Sequence, residues 1–133
     1  MEIKKIGERD GHYSFGRLRS LKKTKQVSEQ VEDKLTRVIE QGEALCESPT
    51  YSGLKTYREV LREVVGLYIS QKYLQSERSQ WLAFGKLNIY QTLRKLDVVL
   101  AELADDIRTG KVSHSRIMER QDKIHALLED ILR

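Results

Sequence analysis

From Val27 onward the apolar residues recur every three or four positions. Val27, Val31, Leu35, Val38 and Leu45 fall on one stripe, with Ile39 beside it and Gly42 inside it. That spacing matches an amphipathic helix with one face turned to a core. Ser28 is placed to cap its start, because a serine hydroxyl accepts from an early backbone N–H that lacks a partner in the helix. The Ser48-Pro49 step ends it, since proline disfavours the α conformation of the residue before it. Gly42 either admits a close neighbour or is a weak point costing ~1 kcal/mol against alanine.

A second helix is predicted from near Ser52 or Gly53. Leu54, Tyr57, Leu61, Val64, Val65 and Tyr68 make its stripe, widened by Val60, Leu67 and Ile69. The opposite face carries Lys55, Arg58, Glu59, Arg62 and Glu63, mixed in sign, which suits a solvated face rather than a basic reading helix. The stripe fades after Tyr73 and Leu74. In the third segment Ile89, Leu93, Leu96, Leu100, Leu103 and Ile107 alternate steps of four and three, an unbroken heptad seam. Tyr90, Asp97 and Ala104 run alongside, and Thr109-Gly110 closes the helix with a glycine able to take the left-handed C′ position. Ser113 or Ser115 then caps a fourth helix that turns Ile117, Ile124, Leu128 and Ile131 inward. Met118, Leu127 and Leu132 broaden its stripe, and Gln121 interrupts it.

Four such segments with short connections predict an all-α fold, an antiparallel four-helix bundle over residues 27–133. The one place left for a short extended piece or hairpin is Trp81 to Tyr90. The seam from Ile89 to Ile107 can close inside one chain or between chains, so a homo-oligomer stays open.

The stretch Ile89-Tyr90-Gln91-Thr92-Leu93, followed by Leu96-Asp97, Leu100 and Leu103 and then by Asp122-Lys123-Ile124 with Leu127-Leu128, resembles the YaaR family of small bacterial proteins. Trp81 with Gly85, and the helix from Tyr57 to Val65, fit the same pattern. The resemblance covers roughly residues 30 to 133 and leaves the N-terminal tail outside. It implies a helical bundle and offers no site residues to carry over.

Composition adds little to that picture, and charge adds more. At 133 residues the chain suits one domain, and 39% hydrophobic with 33% charged residues is an ordinary globular balance. A single proline argues against a loop-rich sandwich, and a single cysteine, Cys46, rules out an internal disulfide. The start MEIKKI lacks the apolar stretch of a signal peptide, and no apolar run approaches the ~18 residues of a membrane span. A cytoplasmic location and no transmembrane segment are therefore expected.

The net charge of +4 is unevenly placed. Residues 1–25 hold eight basic and three acidic residues, a net +5, which leaves −1 for the rest. No acidic residue lies between Gly11 and Ser28, and no sustained hydrophobic period accompanies the charge. Residues 1–26 thus read as a mobile or only locally ordered basic arm, unable to bury enough apolar surface to offset its ordering entropy. Arg17, Arg19, Lys22, Lys23 and Lys25 are its candidate polyanion contacts. They imply weak, salt-sensitive attraction to nucleic acid or to an anionic surface. No helix presents a one-sided basic face for sequence-specific reading.

Constellations that carry chemistry are thin. Gly11 to Leu18 has the glycine spacing of a phosphate loop, but Arg17 and Leu18 stand where the motif needs lysine and Ser/Thr, and no strand precedes it. Asp122-x-x-His125 resembles half of a bundle metal motif and occurs once, so His125 reads as a boundary histidine. Asp97, beside the seam, reads as a boundary carboxylate bonded to a tyrosine or arginine of another helix. Cys46 lies between Glu43 and Glu47, whose charges raise a thiol pKa and disfavour a reactive thiolate. Ser113-His114 reads as a helix cap. No catalytic, cofactor or metal residues are assigned, and a non-enzymatic role with a protein partner is expected. Trp81 and Phe84, between the second and third helices, are the candidate partner contacts if they do not fold back on the bundle end.

Overall fold

A computed structural model describes residues 18–19, 28–75 and 86–132 of the chain. Within them four long helices follow one another: α1 (Glu29–Glu47), α2 (Tyr51–Gln75), α3 (Lys86–Arg108) and α4 (His114–Leu132). Each begins and ends for a local reason. Ser28 Oγ accepts the Val31 N–H at 3.2 Å, and the Ser48 N–H closes α1 on the Ala44 carbonyl. α2 starts earlier than its apolar stripe suggests, because Thr50 supplies the cap: its Oγ1 accepts the Gly53 N–H at 3.0 Å. Residues 86–90 are helical, so the extended piece envisaged up to Tyr90 is not formed there. Residues 86–90 instead form the first turn of α3.

The turn between α3 and α4 is a Schellman closure. Gly110 has φ +79°, the Lys111 N–H reaches the Asp106 carbonyl at 2.8 Å and the Gly110 N–H reaches that of Ile107 at 3.3 Å. Three residues later Ser113 Oγ accepts the Arg116 N–H and opens α4. So short a connection forces α4 to run back along α3.

α1 and α2 pair antiparallel, as do α3 and α4, and the two hairpins pack together as a bundle. Side chains record the first pairing: the start of α1 meets the far half of α2. Ser28 Oγ donates to Gln71 Oε1 at 2.8 Å, Gln71 Nε2 donates to Gln30 Oε1, and Lys34 Nζ lies 2.9 Å from Glu63 Oε2. The stripes meet inside. Val31, Leu35, Val38, Tyr57, Leu61, Val64, Leu103, Ile117, Ile124 and Leu128 are all within 1% of complete burial. Each contributes about 1.5–3 kcal/mol by leaving water. Along the seam only Leu96, Leu100 and Leu103 are buried; Ile89, Leu93 and Ile107 are half-covered.

Leu18 also belongs to this core, fully buried although it precedes residue 27, and both it and Arg19 are helical. A single well-placed leucine suffices to join a core without the sustained period that a helix prediction needs. The remainder of the 1–26 arm lies outside the described residues.

Candidate functional site

Two buried polar groups and one open groove distinguish this bundle from a plain apolar one. The first polar group crosses the bundle from α1 and α2 to α4. On α4, Gln121 and His125 stand one turn apart on the buried stripe and are both fully enclosed. Gln121 Nε2 donates to the Gly42 carbonyl at 3.0 Å, and the Cys46 thiol donates to Gln121 Oε1 at 3.0 Å. His125 Nε2 and Tyr57 Oη are 2.9 Å apart, their rings set edge to face. A buried amide or imidazole without partners costs free energy, so these bonds are what allow polar side chains inside the core.

Electrostatics keeps this group quiet at neutral pH. Burial, with Glu43 and Glu47 adding to it, pushes the Cys46 thiol up to about 11. Burial, reinforced by Cys46, pushes the Tyr57 phenol well above its ordinary value. Thiol and phenol therefore remain protonated and serve as hydrogen-bonding groups. His125 is an interior residue rather than a boundary one. The α1/α2 hairpin closes over that side of α4, which the period of α4 alone does not register.

The second group ties α4 to the end of α3. Asp106, 3% exposed, receives Arg120 Nε at 2.9 Å and lies 3.2 Å from Arg116 Nε, while Arg120 also reaches Glu102 at 3.0 Å. Burial raises the Asp106 pKa, but the hydrogen bonds and charges of Arg120 and Arg116 outweigh it and hold the carboxyl below its ordinary value. Sequence reasoning missed this cluster. Its signal was the placement of Asp106 in the last turn of α3 with two arginines in the first turns of the helix that returns from it.

The groove lies between α2 and α3. It encloses about 330 Å³ over an apolar floor that includes Leu61, Val65, Ile69 and Leu93, and Arg62 stands on its α2 wall and Asp97 on its α3 wall. Asp97 is exposed, not a carboxylate bonded across a helix boundary, because the groove opens beside it. Midway along α2, Gly66 is exposed at the groove; a Cβ there would meet nothing within 4 Å beyond its own helix. Glycine inside a helix costs ~1 kcal/mol against alanine, and no contact within the bundle requires it here.

The other sequence candidates distribute as follows. Arg19 pairs with Glu43 of α1 at 3.3 Å. Arg17, Lys22, Lys23 and Lys25 lie outside the described residues, as do Trp81 and Phe84. Ser113 acts as a cap. Among the described residues no three His, Cys, Asp or Glu side chains gather to hold a metal ion, and no helix is long and apolar enough to cross a membrane.

These features define a four-helix domain whose polar interior is internally bonded and which carries, among the described residues, an apolar groove with charged walls. The model of the family described as "Protein of unknown function (DUF327)" matches residues 2–132, and the chain belongs to that family. Its match takes in the basic N-terminal segment as well as the bundle. Comparison with curated proteins and with solved structures returned no match.

Proposed function

We propose that the chain is a non-enzymatic, cytoplasmic protein-interaction module, akin to the YaaR proteins that its third and fourth helices resemble. The observation that carries the reading is the α2/α3 groove, where Ile69 and Leu93 are left half-covered beside the buried Leu61 and Val65. An apolar concavity of this kind between two helices takes a partner's apolar side chains, and the charged walls orient it. The buried polar groups support the same reading, since Gln121, His125 and Asp106 spend their hydrogen bonds on the bundle itself. Affinity capture from the native cell tests it, comparing the chain with Gly66→Glu, which fills the groove from an exposed helical position. Partners recovered by the first and lost by the second support the groove as the interaction surface. Equal recovery by both rejects it.

The net +5 of residues 1–25 favours a second reading, weak binding of nucleic acid or an anionic surface through that arm. Arg19 is already engaged with Glu43, which leaves Arg17, Lys22, Lys23 and Lys25 as the contacts. Binding of labelled DNA or RNA that falls steeply between about 50 and 200 mM salt supports it. Binding indifferent to salt rejects it.

A further inference from the structure

The two walls of the groove differ in sign. Arg62 and Asp97 are both exposed on it, and neither enters an ion pair with another described residue. A groove lined by one sign of charge selects a partner of the other sign. One with a cationic and an anionic wall is complementary to the same surface turned round, and the chain itself carries that surface. In a closed two-fold contact, whenever one residue meets a second across the interface, the reciprocal contact also forms.

The direction of the two-fold axis then follows from the charges. An axis running along the groove lays α2 of one copy over α3 of the other, so that Arg62 of each faces Asp97 of the other. An axis across the groove lays α2 over α2 and brings like charges together, which opposes association. In the first arrangement the half-covered Ile69 and Leu93 of each copy face the other copy's groove. Gly66 fits the same arrangement. Its missing side chain answers no steric need within the bundle, but it lets the partner's α3, laid over α2, approach closely.

We propose that the α2/α3 groove is a self-association surface, on which a second copy of this chain docks about a two-fold axis along the groove through reciprocal Arg62–Asp97 pairs around Gly66. The proposal rests on the interaction-module reading and supplies its partner.

Sedimentation velocity of the full chain over a range of concentrations tests it. The mass is expected to rise toward twice the 15.5 kDa of one chain. Arg62→Asp and Asp97→Arg are each expected to weaken association about tenfold, and the double reversal to restore most of it. Both positions are exposed, and circular dichroism checks that each variant keeps its helices. A mass that stays at one chain overturns the proposal. A dimer insensitive to the single reversals, or reversals that fail to rescue one another, overturns it too. Should the chain prove monomeric while Gly66→Glu still abolishes capture of a cellular protein, the second copy is refuted and the interaction-module reading survives. If the chain is monomeric and capture is unaffected, both fall.

Discussion

Tyr57 Oη lies 2.9 Å from His125 Nε2, and neither side chain retains any exposure to solvent. The bond joins α2 to α4 inside the bundle. Tyr57→Phe removes one oxygen, leaves the packing in place and strips Nε2 of this partner. Stability in urea at neutral pH is expected to fall by about 1–3 kcal/mol. A double-mutant cycle with His125→Leu should return a coupling of roughly 1 kcal/mol; additive losses would mean that the two groups act separately.

Cys46 is buried, donates to Gln121 and has its thiol raised to about 11, so almost no thiolate exists near neutral pH. Alkylation by iodoacetamide should be slow in the folded protein and become fast only in denaturant. Gln121→Ala is expected to raise the folded-state rate. It leaves the thiol and the Gly42 carbonyl without their partner and opens space beside them.

Asp106 makes stability depend on acid. Its carboxyl is held below the ordinary value of 3.8 in the folded protein, so the unfolded chain takes up the proton first as pH falls. The contribution is fully present above about pH 5, declines through the ordinary aspartate range near pH 4, and is gone below the folded-state pKa. Asp106→Asn should lower stability at neutral pH by about 2 kcal/mol or more, by leaving Arg120 and Arg116 facing a neutral group. Its stability should also fall less steeply than that of the parent between about pH 5 and 2, read from denaturation midpoints across that range.

Two glycines should respond in opposite directions. Gly66→Ala is expected to stabilise the isolated chain by about 1 kcal/mol, since the new methyl meets no neighbour and alanine is the better helix former. Gly110→Ala is expected to destabilise by roughly 1–2 kcal/mol, because φ +79° places a Cβ against its own backbone even though the space around it is open. Thermal melts at a concentration below any self-association compare the two directly.

The helices were legible because their causes are local. Ser28, Pro49, Gly110 and Ser113 each act on backbone groups within a few residues, and the stripes from Val31 to Leu45 and from Leu54 to Tyr68 repeat at the helical period. The start of α2 has a cause of the same kind: Thr50 caps the helix at Tyr51, one residue before the expected Ser52 and ahead of the buried stripe that begins at Leu54. Gln121 was visible as an interruption in the stripe of α4, but nothing near it in sequence says whether such an interruption is exposed or satisfied.

That answer comes from partners far along the chain. Gln121 bonds a carbonyl 79 residues away and His125 a phenol 68 residues away, so their burial depends on which helices become neighbours. Asp97 and Asp106 sit on the same helix with similar local surroundings, yet one lines an open groove and the other is enclosed by two arginines. The amino-acid sequence alone determined the all-α class, the ends marked by Ser28, Pro49, Gly110 and Ser113, the faces turned inward and the concentration of positive charge in the first 25 residues. The tertiary structure alone decided that Leu18 enters the core, that His125 and Asp106 are interior, and that the walls of the α2/α3 groove carry opposite charges. Periodicity records that a face is buried. Only the packing of distant helices sets which side chains meet across it, and where the packing stops short.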